Sequence, residues 1–79
     1  MVIVYALYDK GLKQIYVGMT NNLERRLYQH QRGESLYTRQ FSDFVVIYTE
    51  SCEGYGDGRK REKYLKSGFG KKFLKTLIR

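Results

Sequence analysis

The sequence predicts an α+β fold, in which helices pack on a three-stranded antiparallel sheet in the order ββαβαα. Three observations lead to this prediction. Two short runs rich in β-branched and aromatic residues flank a glycine-containing turn near the N-terminus, and a third, almost continuously apolar run covers residues 44–48. The other segments carry helix-capping residues and apolar residues at helical spacing. With 79 residues, the chain has room for one small domain, which we place at residues 1–79.

The first two runs are predicted to pair as a hairpin. Residues 2–8 form the first strand and residues 14–18 the return strand, because both are rich in valine, isoleucine and tyrosine. Asp9, Lys10 and Gly11 form the turn between them, and Gly11 supplies the permissive backbone. Residues 44–48 form the third strand, and its apolar character predicts that at least one of its faces is covered.

A helix is predicted directly after the hairpin. Asn21 is placed as its N-cap, and Glu24 three residues later completes a capping-box pattern. Leu23 and Leu27 are spaced i, i+4 and are expected to form its buried stripe. The helix is expected to run to residue 31 and to stop at Gly33, which is placed as a C-cap.

Two further helices are predicted after the third strand. Asp57 is placed as the cap of a helix over residues 58–66, which ends at Ser67 and Gly68. The last helix spans residues 71–78 and carries three apolar residues on one face: Phe73, Leu74 and Leu77. Several glycines precede the first of these helices, so its start is expected to fray or to shift.

The cysteine content and the hydropathy pattern suggest where the protein works. Cys52 is the only cysteine, so no internal disulfide and no cysteine-based metal site can form. It lies in a polar, turn-like stretch, and we interpret it as incidental. No segment approaches the ~20 apolar residues that span a bilayer, and the apolar opening lacks the basic region of a signal peptide. We therefore expect a cytoplasmic protein without a membrane partner.

Positive charge is concentrated in the last quarter of the chain. Residues 59–79 contain nine Lys/Arg and one acid, Glu62, whereas residues 1–58 contain six Lys/Arg and seven Asp/Glu. Such a cluster favours a polyanionic partner, because each neutralised phosphate releases condensed counterions. Charge alone favours nucleic acid only modestly. A helical face that is merely solvated, or a surface that binds lipid headgroups, can be equally rich in Lys and Arg.

Several ordered motifs resemble the GIY-YIG nuclease family. Residues 3–5 (Ile-Val-Tyr) and 16–18 (Tyr-Val-Gly) stand where the family has its two namesake tripeptides. Residues 16–30 are similar to the family's second strand and its arginine-bearing helix. Residues 36–39 (Leu-Tyr-Thr-Arg) and 61–68 resemble elements of small stand-alone members, including bacterial URI-type endonucleases. The chain departs from the pattern at Ile3, which replaces the first glycine.

The resemblance implies a GIY-YIG fold and a metal-dependent endonuclease that uses one Mg²⁺ or Mn²⁺ ion. It implies that Tyr16 prepares the water and that Tyr5 orients Tyr16 or the phosphate. Arg26 is selected to stabilise the transition state by counting ten positions from Tyr16, with Arg25 as its competitor. His30, which matches a position that the family fills with His or Tyr, is assigned to orient the water or share its proton.

The same resemblance makes Glu62 the metal ligand, which is chemically sufficient because Mg²⁺ often takes a single protein carboxylate. The alternative for Glu62 is a helix salt bridge with Lys66 or Arg59. The alternative for the tyrosines is that they pack in the core. Arg26 and His30 share a helix face at i, i+4, and their alternative is that this face is simply exposed to solvent.

Nucleic acid is the predicted partner, and DNA is favoured over RNA. The residues expected to bind it are mainly basic: Arg25, Tyr37, Arg39, Arg59, Lys60, Lys63, Lys66, Lys71 and Lys72. Two alternatives stay open: a nucleic-acid-binding module that has lost useful catalysis, and a subunit whose partner protein supplies specificity. The chain is expected to act as a monomer or a weak dimer.

Overall fold

Three strands and three helices follow one another in the predicted order. In a computed structural model, which describes residues 1–78, the strands are β1 (Val2–Asp9), β2 (Gln14–Thr20) and β3 (Phe44–Cys52). The helices are α1 (Leu23–Gln31), α2 (Tyr55–Lys66) and α3 (Gly68–Lys75). The order ββαβαα confirms the predicted α+β fold class.

The strands form one antiparallel sheet in the order β2-β1-β3. The central strand β1 pairs with β2 in continuous register from Ile3↔Thr20 to Asp9↔Gln14. It pairs with β3 through a register shift between Ala6 and Leu7. The strand β2 therefore lies at one edge of the sheet, and this edge is where the candidate site is found.

The two faces of the sheet are covered by different helices. Because neighbouring side chains of a strand point to opposite faces, Val4 and Ala6 of β1 pack with Leu65 of α2 and Leu74 of α3. The alternate β1 residues, Tyr5 and Leu7, pack on the other face against Phe41 and the half-buried leucines of α1, Leu23 and Leu27. Because side chains of β1 alternate between the two faces of the sheet, the Tyr5 side chain points towards α1.

The buried carboxylate of Asp9 ties the hairpin to the segment before β3. Its oxygens accept the backbone N–H of Leu12 at 2.8 Å and of Asp43 at 2.9 Å. The backbone hydrogen bonds, of which that from Asp43 has the largest effect, lower the pKa of the carboxyl. Asp9 belongs to β1 rather than to the turn, and the positive φ of the turn falls on Lys13 (55°) instead of Gly11, so both details of the predicted turn were wrong.

The first helix ends as predicted but begins with a different cap. Asn22, not Asn21, is the N-cap, and its Oδ1 accepts the N–H of Arg25 at 3.0 Å. No capping box forms with Glu24, because the residue three positions after the true cap is an arginine. The C-cap is Arg32 rather than the predicted Gly33, which follows it with a φ of 76° and turns the chain away from the helix.

The later elements start earlier or run further than predicted. The strand β3 extends to Cys52, which is buried in the core between the sheet and α2, so the polar, turn-like position expected for this residue was wrong. The helix α2 begins at Tyr55 after Gly54, which places Asp57 in the first turn rather than at the cap. The last helix begins at Gly68, capped by Ser67, and ends at Lys75. Within residues 1–78, no helix is both long enough and apolar enough to cross a bilayer.

Candidate active site

Two tyrosines meet at the hairpin formed by β1 and β2. Tyr5 is fully buried and Tyr16 is half-buried, and their ring centroids lie 6.2 Å apart. Gly18 lies opposite Tyr5 in the strand pairing. A Cβ atom at Gly18 would fall 2.6 Å from the Tyr5 hydroxyl oxygen and 2.8 Å from Cε2 of Tyr16. The glycine that follows Tyr16 and Val17 therefore leaves the space that the two rings occupy.

His30 lies beneath these rings rather than on an exposed helix face. Its side chain is 1% exposed, Nε2 lies 2.7 Å from the Tyr5 hydroxyl, and Nδ1 lies 2.5 Å from Oγ1 of Thr38. The Tyr16 ring meets the imidazole edge-on, with centroids 5.1 Å apart. Burial, aided by the nearby Arg26 cation, lowers the pKa of His30 to about 4, so the imidazole is neutral at physiological pH. Plain solvent exposure, the alternative for this residue, is excluded by its burial.

Arg26 of α1 lies beside the two tyrosines, and its Nη1 donates to Oε1 of Gln29 on the same helix at 3.0 Å. Burial acts to lower the pKa of its guanidinium, but hydrogen bonding to Tyr16 and Tyr5 outweighs it and raises the pKa. Burial and the neighbouring Tyr16 raise the pKa of Tyr5 well above its usual range, so this phenol stays protonated. Arg25 is exposed and donates to Asn21 at 3.0 Å instead. The structure therefore places Arg26, and not its competitor, beside the tyrosines.

Tyr5, Tyr16, Arg26 and His30 form one group of contacting side chains, which we call the tyrosine–arginine cluster. Glu62 lies apart from it, on α2, which packs on the opposite face of the sheet. Its carboxylate is 22% exposed and pairs with the Lys66 ammonium at 3.6 Å. The salt bridge that was weighed against a metal role is thus present, and Lys66 is its partner.

A groove runs past the edge strand β2 and connects the two sides of the sheet. It has a volume of about 370 Å³ and six lining residues: Ile15, Tyr16, Val17, Tyr37, Lys66 and Lys71. Tyr37 is 81% exposed, and its ring centroid lies 6.3 Å from that of Tyr16. Lys66 belongs both to this groove and to the Glu62 ion pair, so Glu62 is one side chain removed from the groove.

The side chains predicted to contact nucleic acid all lie at the surface. They are exposed at each of the nine positions: Arg25, Tyr37, Arg39, Arg59, Lys60, Lys63, Lys66, Lys71 and Lys72. Lys66 and Lys71 line the groove beside Tyr16, whereas Lys72 lies in a different depression beside Phe69. The structure thus joins two of the basic residues and Tyr37 to the tyrosine–arginine cluster.

Sequence reasoning missed two polar contacts, one beside the cluster and one between β3 and α2. Thr38 is fully buried, and its Oγ1 lies within hydrogen-bond distance of His30 Nδ1. The Glu50 carboxylate of β3 accepts from Nε of Arg61 at 2.9 Å and from the Tyr48 hydroxyl at 2.5 Å. Arg61 directly precedes Glu62 on α2, so this contact holds α2 against β3 next to Glu62. Arg61 is the first residue of the 61–68 motif, and it was the available signal for this second contact, because a partly buried arginine needs an acid as its partner.

Metal binding has one candidate ligand in this arrangement. Among residues 1–78, no three or more His, Cys, Asp or Glu side chains lie close enough together to hold an ion by themselves. A magnesium site at Glu62 would consist of one carboxylate completed by water and substrate phosphate, which this ion accepts.

Comparison with known proteins places the chain in a family. The family model described as the GIY-YIG catalytic domain matches residues 1–75, and the chain belongs to this family. A GIY-YIG domain supports nuclease activity and binding of nucleic acid in general. No solved structure matches the chain closely.

The curated relatives that the chain matches are UPF0213 proteins. It is similar to the UPF0213 protein of Nitratidesulfovibrio vulgaris, with 40% identity over 53 residues, which cover 66% of this chain and 48% of the relative. It is also similar to UPF0213 protein CPE1444 of Clostridium perfringens, with 38% identity over 64 residues, which cover 80% and 68% of the two chains. The match thus spans about half the length of the first relative and two thirds of the second.

Proposed function

We propose that the chain is a metal-dependent endonuclease that hydrolyses phosphodiester bonds of nucleic acid, with DNA favoured over RNA. One observation carries the proposal. The Arg26 guanidinium, whose pKa is raised, lies beside two tyrosines, one of which, Tyr16, lines a groove together with two lysines, and family membership gives this arrangement a nuclease context. A structural cluster would not need to lie at a groove lined by lysines.

Arg26 is the group that stabilises negative charge at the phosphate. Its planar fork of donors matches phosphate oxygens, and its half-buried position strengthens the interaction relative to bulk water. Because Arg26 cannot give up its proton, it acts only through charge and hydrogen bonding.

Tyr16 is the group that meets the attacking water. It is the half-buried tyrosine of the cluster and it lines the groove, whereas Tyr5 is closed off from solvent. Its hydroxyl can hold the water by a hydrogen bond, beside the Arg26 cation that stabilises negative charge there. Tyr5 and His30 then orient Tyr16 and Arg26 from below and do not contact the substrate.

Mg²⁺ or Mn²⁺ would be held by Glu62. The carboxylate fits this task, since it is partly exposed and its partner is a single lysine 3.6 Å away that a cation can displace. Bound there, the ion would neutralise charge on the phosphate.

Binding is assigned to the basic residues of the groove and of the helices after it. Lys66 and Lys71 lie where a strand that reaches Tyr16 has to pass. We therefore expect binding to weaken steeply with salt, and Lys66→Ala and Lys71→Ala each to reduce the slope of log affinity against log salt by about 0.7–0.9. Lys10→Ala is the matched control, because Lys10 lines a groove elsewhere, beside Leu77.

The second candidate is a binding module with little catalysis, working in a cytoplasmic complex whose partner protein supplies specificity. The position of Glu62 favours it, because α2 covers the face of the sheet opposite the cluster and Lys66 neutralises the carboxylate. Salt-sensitive binding without cleavage of any substrate would select this candidate.

The proposed activity is tested by cleavage of duplex, single-stranded, branched and RNA substrates in Mg²⁺ or Mn²⁺. Tyr16→Phe and Arg26→Ala are expected to lose at least about 100-fold in rate, as removal of one charge-stabilising donor does in other enzymes. Tyr28→Phe and Arg32→Ala are matched controls on α1, since these exposed side chains contact each other rather than the cluster. Equal cleavage by all five proteins would identify a contaminant and refute the assignment.

A further inference from the structure

Tyr37 presents an open aromatic ring at the groove of the candidate site. It lies in the segment between α1 and β3, and at 81% exposure it is the most exposed aromatic residue that the structure describes. Its neighbour Leu36 is exposed as well, but the residues on either side of this pair, Ser35 and Thr38, are buried and anchor the backbone. The Tyr37 ring is therefore held at the surface by a fixed segment.

The ring stands next to Tyr16 and to two positive charges. The ring centroids of Tyr37 and Tyr16 lie 6.3 Å apart, with the ring planes inclined by 31°, which is within the range of aromatic contacts. Because so little of Tyr37 is covered, the face of its ring that is turned away from Tyr16 is open. Lys66 and Lys71 line the same groove. A flat apolar surface and two ammonium groups thus lie side by side.

A nucleotide has two parts that match this surface, a flat base and a phosphate. Bases of any sequence stack on aromatic rings, and lysines attract the backbone. The groove volume of about 370 Å³ lies near the lower end of the roughly 300–1,000 Å³ found for small-molecule pockets, so the groove has room for a nucleotide and not for a double helix. A base inside a continuous duplex has both faces covered and reaches a ring only when it leaves the stack.

Contact with another protein is the other use of an exposed apolar pair such as Leu36 and Tyr37. Charge favours nucleic acid instead. Of the described residues that line the groove, two are lysines and none is acidic. A second copy of the chain, which carries a net charge of +7, would meet these lysines with like charge.

We propose that Tyr37 is the base-stacking residue of the groove: its ring stacks on an unpaired base while Lys66 and Lys71 hold the neighbouring phosphates, so that the site takes single-stranded or locally unpaired nucleic acid in preference to continuous duplex. This inference rests on the proposed function and names the form of its substrate. Stacking itself needs neither the metal nor cleavage.

Stacking is measured in EDTA, where binding is separated from cleavage. The probe is an oligothymidine that carries a single 2-aminopurine, whose fluorescence falls when the base stacks on an aromatic ring. Wild type and Tyr37→Phe, which keeps the ring, are expected to quench the probe and to bind it equally well. Tyr37→Leu should lose the quenching and about 5- to 150-fold in affinity, as removal of one stacking ring does elsewhere. Because the side chain is exposed, the variant is expected to fold.

Tyr28→Leu is the matched control. Tyr28 is also an exposed tyrosine beside a cation, with the Arg32 guanidinium 5.4 Å from its ring centroid, but it lies outside the groove. This variant should leave the quenching and the affinity unchanged. The probe annealed to its complement gives the second comparison: wild type should bind this duplex at least about 5-fold more weakly than the single strand, and the difference should shrink in Tyr37→Leu.

Three results would overturn the proposal: a probe that wild type does not quench, a single-strand affinity that Tyr37→Leu leaves unchanged, or a duplex that wild type binds at least as tightly as the single strand. If Tyr37 served a protein contact instead, Tyr37→Leu would alter the sedimentation of the protein alone and leave the affinity for the probe unchanged.

Failure of the proposed function is recognised separately. A chain that quenches the probe but cleaves no substrate in Mg²⁺ or Mn²⁺ would lose the nuclease assignment and keep the stacking residue. A chain that cleaves continuous duplex as fast as single strands would keep the nuclease assignment and lose the preference for unpaired bases.

Discussion

At the scale of single residues, the site depends on how closely side chains approach one another around Gly18. The Tyr5 hydroxyl and the Tyr16 ring both occupy space that any Cβ at this position would enter. His30 and Arg26 are in turn positioned by their contacts with these tyrosines. A change of one methyl group at Gly18 is therefore expected to displace the whole cluster.

Gly18→Ala is predicted to abolish most cleavage while leaving the chain folded. The added Cβ, 2.6 Å from the Tyr5 oxygen, forces one ring to move, at a cost of about 1–3 kcal/mol in the free energy of unfolding. Cleavage rate and the denaturant midpoint measure the two effects. Gly56→Ala is the control, because a Cβ there meets nothing within 4 Å and α2 gains a better helix former. Full activity of Gly18→Ala would contradict this account of the cluster.

The neutral state of His30 predicts how stability depends on pH. The pKa of His30 is lowered from 6.5 to about 4 in the folded chain, so the unfolded chain binds more protons between these values. The free energy of unfolding should fall as pH drops from 6.5 to 4, by up to roughly 3 kcal/mol. His30→Gln should lack this part of the decline, as measured by chemical unfolding at each pH. A wild type and variant with parallel curves in this window would show that His30 titrates normally. Asp9, whose pKa is lowered from 3.8, loses its contribution only at lower pH and does not confuse the comparison.

Most residues of the cluster were predictable because they are close in sequence or in a regular element. Arg26 and His30 are one helical turn apart, and the count from Tyr16 to Arg26 crosses a strand end and a helix start of fixed length. Thr38 was not predictable in its role, because its contact with His30 depends on how an irregular segment folds back on α1.

At the scale of elements, the packing of α3 on α2 depends on a second glycine. A Cβ at Gly70 would overlap the Tyr64 carbonyl oxygen and the Leu65 Cα atom. Both belong to the backbone of α2, which cannot turn aside as a side chain does. Leu65 of α2 and Leu74 of α3 belong to the same core cluster on this face of the sheet, so the close contact of the two helices also determines how tightly that core packs.

Gly70→Ala is predicted to destabilise the chain by at least about 2 kcal/mol, because α3 has to move off α2. Gly68→Ala, at the first position of α3, has open space around the added Cβ and should change stability by less than about 1 kcal/mol. Denaturant unfolding of the two variants gives the comparison. Equal stabilities would mean that the helices do not pack as closely as described.

Element types were predictable from the sequence, and the starts of the helices were not. The strand and helix assignments follow from side-chain patterns that packing reinforces. The starts of α2 and α3 were misplaced because Gly54 occupies the N-cap of α2 without a side-chain hydrogen bond, while Ser67, where α2 ends as predicted, also caps α3. Capping rules favour a polar side chain such as Asp57, and they do not detect a bare backbone cap.

At the scale of the whole molecule, the sheet divides the candidate site into two parts. The tyrosine–arginine cluster lies on the α1 face, while Glu62 belongs to the helix on the other face. The two parts approach each other only around the edge strand β2, where the groove runs between Tyr16 and Lys66. An edge strand makes this geometry possible, because a central strand has neighbours on both sides.

The position of the basic charge could be predicted from the sequence, but the side of the sheet on which Glu62 lies could not. Composition alone located the excess of Lys and Arg after residue 58. The face that a helix covers depends on its connections and on which strand residues it packs against, and motif order does not contain this information.

The rate of cleavage by Glu62→Gln tests most directly whether the two parts form one catalytic centre. The account predicts that this variant binds nucleic acid as wild type does and cleaves it at least about 100-fold more slowly at saturating Mg²⁺, while Glu24→Gln, which changes an exposed acid of α1, stays fully active. Cleavage by Glu62→Gln at the wild-type rate, with the same dependence on Mg²⁺, would contradict it.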